Sequence, residues 1–148
     1  LPLGAFISSP AMMGTLTYEP VLGHITTFGG NPVACAAGNA GLEVLLESGW
    51  MDEVKMKETY LAEALTHPAI LDKKHKGLWM SLQFATPELT KKIAANCVAN
   101  GVITDWFLFS EDRIRIAPPL SITMEELASA VRKINESIEN VFLDIENK

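Results

Sequence analysis

The sequence predicts an α+β fold, and three observations carry that expectation. Leu78, Met80, Leu82 and Phe84 alternate with Trp79, Ser81 and Gln83, the two-residue period of a strand with one apolar face. From Gly77 onward the pattern reads strand, helix, strand, strand, helix, which suits a small, mostly antiparallel sheet with helices on one face. Residues 32–47 differ: Ala and Gly lie on nearly all sides of a helical stretch, which implies a buried helix that needs a larger sheet to pack against.

In chain order, Leu3 to Ser8 is an apolar run ending at Ser9-Pro10 and reads as a buried strand. Met12 to Gly23 carries Gly14, Pro20 and Gly23 and reads mostly as loop. Asn31-Pro32 then starts a helix that runs to about Glu47. Asn31 is a favoured N-cap, and the fixed φ of Pro32 suits the first helical position. Gly38 and Gly41 each cost about 1 kcal/mol relative to Ala, so another backbone is expected to pack closely there. Ser48-Gly49 breaks the pattern and marks the expected domain hinge. A second helix, Met51 to Leu65, places Val54, Leu61 and Leu65 on one face, and His67-Pro68 closes it.

After the strand at Leu78, Thr86-Pro87 repeats the cap-then-proline start. Leu89, Ile93 and Cys97 form its stripe, and Asn100-Gly101 ends it in a left-handed cap. Val102 to Phe109 and Arg113 to Ala117 read as two strands joined by a Ser110-Glu111-Asp112 turn. Thr123-Met124-Glu125-Glu126 fits a capping box, followed by a helix with Leu127, Val131, Ile134, Ile138 and Val141 along one side.

Composition narrows the function classes. With 148 residues, 48% hydrophobic and 20% charged, the chain is globular in profile, with room for one sizeable core. A net charge of −6 and the lack of a basic run argue against a nucleic-acid partner. Asn39 and Glu43 break the longest apolar stretch, well short of the roughly 18 residues a membrane span needs. Cys35 and Cys97 fall in apolar helical patterns and read as small buried hydrophobes in a reducing compartment rather than a disulfide. The apolar start lacks an initiator Met and a basic leader, so the expectation is a cytoplasmic protein cut from something longer. His67 and His75 have no metal-ligand spacing with each other or with the cysteines.

The most informative stretch is the loop His24-Ile25-Thr26-Thr27-Phe28-Gly29-Gly30-Asn31, which runs into the first long helix. Two hydroxyls and two glycines ahead of a helix start can bring donors and bare backbone close to an anion. A tight surface turn is the competing reading. No Lys-Ser/Thr pair comes after the glycines, which excludes a P-loop.

His24-Ile25-Thr26-Thr27-Phe28-Gly29-Gly30-Asn31-Pro32-Val33-Ala34-Cys35-Ala36-Ala37 resembles the signature segment of the class III (ornithine/acetylornithine-type) pyridoxal-phosphate aminotransferases. Leu1-Pro2-Leu3-Gly4-Ala5-Phe6 resembles the segment just past their cofactor-binding lysine, and Ile114-Arg115-Ile116-Ala117-Pro118-Pro119-Leu120 resembles their C-terminal I-R-x-x-P-P-L. The resemblance implies a fold-type I enzyme. Residues 1–47 would be the last strand and long helix of its large domain, and residues 48–148 its C-terminal small domain. It implies pyridoxal 5'-phosphate as cofactor, with Thr27, and Thr26 beside it, on the phosphate of the neighbouring subunit of a homodimer. It assigns the substrate carboxylate to Arg115, in preference to Arg113 on the same strand face. The catalytic lysine would lie upstream of Leu1, so no catalytic residue and no metal ligand is expected here, and this chain alone would be inactive. The implied reaction moves an amino group from an amino-acid or amine donor to a keto acid such as 2-oxoglutarate. An aminomutase or decarboxylase on the same scaffold, or a non-catalytic dimerisation or binding domain, stays open. Lys74-His75-Lys76-Gly77 departs from the family's Arg-Gly-x-Gly and leaves the substrate subgroup unassigned. The run Asp105-Trp106-Phe107-Leu108-Phe109 reads as core packing or as the border of a substrate entrance.

Overall fold

The computed structural model describes residues 2–21, 23–107 and 109–146; Leu1, Leu22 and Leu108, which fall in stretches interpreted above, lie outside them. The chain divides into two compact units, Leu1–Gly49 and Trp50–Lys148.

The first unit holds two helices, α1 (Pro10–Gly14) and α2 (Pro32–Glu47). Ser9 caps α1 by accepting from the Met12 N–H, so the stretch read as loop starts with a helical turn. The bounds of α2 are those its cap and terminal break predict. Its burial is not: of its 16 residues only Ala34 is buried, and Cys35 is exposed. The expected strand at Leu3–Ser8 does not form either; residues 2–9 have no regular structure and are exposed. Apolar character alone does not make a strand, because the ladder must be completed by a neighbour, and the described residues of this unit contain no strand to pair with. The close backbone approach expected at α2 is not found: a methyl at Gly38 would meet the Leu3 side chain, and Gly41 faces open space.

The second unit contains α3 (Trp50–Ala64), β1 (Asp72–Lys76), β2 (Trp79–Gln83), α4 (Pro87–Ala99), β3 (Asp105–Phe107), β4 (Ser110–Ile116) and α5 (Met124–Glu146). The strands form one sheet in the order β1-β2-β4-β3, antiparallel throughout. Met80 and Leu82 of β2 and Ile114 and Ile116 of β4 turn to the same side, joined by Phe84 and Leu78. There they meet Leu61 and Leu65, Ile93 and Cys97, and the Leu127–Val131–Ile134–Ile138–Val141 stripe of α5; all are buried. Each apolar side chain so enclosed is worth roughly 1.5–3 kcal/mol, and α3, α4 and α5 together cover that one face.

Local chemistry sets the element ends. Thr86 accepts from the Leu89 N–H at the start of α4. At α5 the capping box is complete: Thr123 Oγ1 accepts from the Glu126 N–H (3.2 Å), and Glu126 Oε2 accepts from the Thr123 N–H (2.9 Å). Gly77, with φ 56°, is the first residue of the two-residue loop joining β1 to β2, where a hairpin needs positive φ.

Two strand expectations are corrected. Ser110, Glu111 and Asp112 lie within β4 rather than in a turn, and Val102–Thr104 stays outside β3. Asp112 is drawn into the ladder because its carbonyl accepts from the Phe84 N–H (2.9 Å). Strand β1, Asp-Lys-Lys-His-Lys, has no apolar alternation to announce it. It forms because it completes the free edge of β2, and its charges suit an exposed sheet edge.

Four carboxyls are held below their ordinary range: Glu58 by His75, Asp72 by Arg113, Asp112 by the Ser110 hydroxyl and the Gln83 amide, and Glu126 by the Thr123 N–H and hydroxyl. A carboxyl with a depressed folded pKa contributes stability above its unfolded pKa and loses it as pH falls through the folded value. Stability of the second unit should therefore level off above the ordinary values of 3.8 and 4.5 and decline below them. Urea denaturation at a series of pH values checks this; a midpoint that held constant down to the acid limit would contradict it.

Candidate functional site

The loop before α2 is built from two successive turns. The Gly29 N–H donates to the Thr26 carbonyl (3.1 Å), and the Asn31 N–H donates to the Phe28 carbonyl (3.2 Å). A Cβ at position 29 would sit 2.8 Å from Thr26 Oγ1, so any side chain there would displace that hydroxyl. Gly30 has φ 74°, a conformation side chains disfavour. Asn31 Oδ1 accepts from the N–H groups of both Val33 and Ala34, each at 3.1 Å, so the cap is formed and the first turn is ordered. A cavity of about 690 Å³ lies against this loop, bounded by Pro2, Leu3, Thr26, Phe28, Gly29 and Val33 among others. Thr26 lines the cavity and Thr27 does not, and both are exposed. Neither hydroxyl bonds to another described residue, so the local turn bond that competes with ligand binding does not form. His24 is turned away, its Nδ1 3.2 Å from the Leu16 carbonyl oxygen.

Arg115 lies in the other unit, on the sheet face opposite the core, as does Arg113. The two are not equivalent. Arg113 is only 13% exposed and pairs with Asp72 (2.5 Å); it also donates to Gln83 Oε1 and Ser81 Oγ. Arg115 is 40% exposed and meets only Asp105 Oδ2, at 2.7 Å, directly across on the edge strand β3. Its remaining N–H groups have no partner among the described residues. A guanidinium with donors to spare can take a carboxylate in two parallel bonds, and of the two arginines Arg115 has them.

The sequence profile of the class-III aminotransferases matches residues 1–138. The chain belongs to this family. Solved aminotransferases share its fold. A transaminase with L-ala superposes with a TM-score of 0.79 at 20% identity, over 92% of this chain and 35% of the other. An omega-transferase from Vibrio fluvialis JS17 gives 0.77 at 18% identity, over 93% and 36%. A PLP-bound aminotransferase mutant from Vibrio fluvialis gives 0.77 at 18%, over 90% and 32%. The chain thus spans about a third of the length of these relatives.

Several other polar residues of the chain are committed to structure. Among the described residues no cluster could hold a metal, and no helix is long and apolar enough to cross a membrane. His67 Nε2 lies 2.8 Å from Glu139 and His75 Nδ1 2.9 Å from Glu58. Burial pushes the Cys97 thiol up, and both cysteines are free. The aromatic run borders the sheet edge instead of filling the core: Trp106 and Phe109 are exposed.

Two lysines escape a reading of the sequence. Lys57 is 1% exposed, its ammonium shared between Glu53 Oε2 (2.8 Å) and the Leu120 carbonyl (3.1 Å). Lys73 donates to the Ala62 and Leu65 carbonyls (2.6 and 3.0 Å), satisfying the open end of α3. Only the Glu53–Lys57 spacing of four hinted at either.

Replacing Asn31 with Ala should leave the Val33 and Ala34 N–H groups without their acceptor, at a cost of about 1 kcal/mol to the first turn of α2. Amide exchange at those two positions should rise about fivefold, since 1.4 kcal/mol is tenfold. Unchanged exchange would show that the cap does not hold the turn.

Proposed function

We propose that the chain is the C-terminal part of a pyridoxal-phosphate-dependent aminotransferase that moves an amino group from an amino-acid or amine donor to a keto acid such as 2-oxoglutarate. The observation that carries this reading is the family match over residues 1–138. In this reading residues 1–47 end the large domain and residues 48–148 form the small domain.

The loop fits the phosphate end of the cofactor. Thr27, with Thr26 beside it, offers unengaged hydroxyls and the glycines leave backbone accessible; the first N–H groups of α2 are already taken by Asn31, so the helix adds only the field of its dipole. Residues 1–49 contain no Lys or Arg, so the loop supplies neutral donors only and forms one wall of a site whose countercharge comes from elsewhere. That accords with an active site shared across a homodimer. Pyridoxal phosphate, when bound, supplies the electron sink that amino transfer needs. Arg115 holds the substrate carboxylate, which takes over from Asp105 or uses the N–H groups Asp105 leaves open. Two free thiols, one buried, accord with a cytoplasmic setting.

In the full-length protein, Arg115→Lys should raise KM for the keto acid about tenfold or more, because an ammonium cannot reproduce the planar two-bond clamp, and leave cofactor absorbance intact. An unchanged KM would remove Arg115 from the site. The 148-residue chain alone, mixed with pyridoxal phosphate, an amino donor and 2-oxoglutarate, should give no turnover and no donor-dependent absorbance change. Turnover would mean that a lysine within it serves the cofactor.

A further inference from the structure

Ser81 and Asp105 are the residues directly across from Arg115 on its two neighbouring strands. Asp105 contacts Arg115 itself, but the Ser81 hydroxyl accepts from Arg113 Nη1 at 3.2 Å. Arg113 in turn donates through Nη2 to Asp72 (2.5 Å) and Gln83 (2.8 Å). The Gln83 amide donates to Asp112 Oδ2 (2.6 Å), and the Ser110 hydroxyl donates to Asp112 Oδ1 (2.8 Å). One continuous network therefore runs from β1 across β2 to the start of β4 on the open face of the sheet. It ends beside Arg115 without including it.

We propose that Arg113 is a positioning residue for carboxylate recognition at Arg115: it fixes Ser81 and the β2–β4 register beside Arg115 while its own charge is spent on Asp72. The proposal rests on the reading of Arg115 given above. Two guanidinium groups two residues apart on one strand face would otherwise offer a carboxylate two competing places to bind. Both carry a paired carboxylate, but tying the more enclosed Arg113 to three acceptors leaves Arg115, with one, as the single clamp with donors to spare. Ion pairs of this kind add little net stability over a well-packed apolar pair, so what the network contributes is geometry. Displacements of about 1 Å near a reacting group cost up to about a hundredfold.

The test uses the full-length protein with cofactor bound and titrates glutarate, a dicarboxylate that binds without reacting, by calorimetry. Arg113→Lys keeps a charge for Asp72 but cannot span Ser81 and Gln83 as well; it should weaken glutarate binding about tenfold, with the Kd for pyridoxal phosphate within about twofold of wild type. Ser81→Ala, which poses little risk to folding, should weaken glutarate binding about threefold in the same selective way. If glutarate binding is unchanged in both variants, or if glutarate and cofactor binding fall in parallel, Arg113 only holds the sheet together and the proposal is overturned; should Arg113→Lys not fold, Ser81→Ala alone decides. An Arg115→Lys protein that binds glutarate normally overturns both this proposal and the reading it rests on, whereas a loss in Arg115→Lys with none in Arg113→Lys or Ser81→Ala overturns the positioning role alone.

Discussion

Ile114 and Ile116 alternate with Arg113 and Arg115, and a slip of one residue would exchange them between the core and the open face of the sheet. Because Ile114 is fully enclosed and Ile116 nearly so, that slip would bury two guanidinium groups among Leu61, Ile93 and Leu127. Each unpaired charge would cost several kcal/mol. The register of β4 is thus set by its apolar half. The other half is placed as a consequence: Arg115 meets Asp105, Arg113 reaches Asp72 and Gln83, and Ser81 comes between them.

That one-sided arrangement also explains the buried polar contacts. With α3, α4 and α5 all on one face, each helix end near the sheet must find partners inside the protein. Lys73 reaches from β1 to the last carbonyls of α3, and Lys57 reaches from α3 to the Leu120 carbonyl. The segment after β4 is then held at both ends, by Lys57 at Leu120 and by the capping box at Thr123. A lysine ammonium on a long apolar stem suits both tasks, since the stem packs with the core while the head satisfies backbone oxygens.

The sequence disclosed what is encoded locally. Caps at Asn31, Thr86 and Thr123, the stop at Asn100-Gly101 and the alternation from Leu78 to Phe84 all act over a few residues, and they account for helices α2, α4 and α5 and strand β2. Structure that depends on a neighbour was hidden. Asp72–Lys76 is a strand because β2 offers it an edge, while Leu3–Ser8, far more strand-like in composition, has none to join among the described residues of its unit. The candidate site divides in the same way. Thr26, Thr27 and Arg115 are singled out by motifs alone, and motifs do not give cross-strand partners. Asp105 and Ser81 are 10 and 34 positions from Arg115 in sequence, and only the register places them opposite it.

Electrostatics gives the two units different needs. In the second, each arginine of the open face has a carboxylate within bonding distance, so its charge is already balanced within the unit. In the first, the threonine loop has only neutral hydroxyl and N–H donors, and the acidic residues of residues 1–49 outnumber Lys and Arg, of which there are none. A phosphate carries nearly two negative charges near neutral pH. Neutral donors and a helix end can orient it, the latter contributing about half a unit charge, but they do not neutralise it. In the proposed reading the loop fixes the direction of a phosphate whose charge is balanced by another element. A glycine-rich turn placed ahead of a well-capped helix serves that role best when its hydroxyls are left unbonded, as those of Thr26 and Thr27 are.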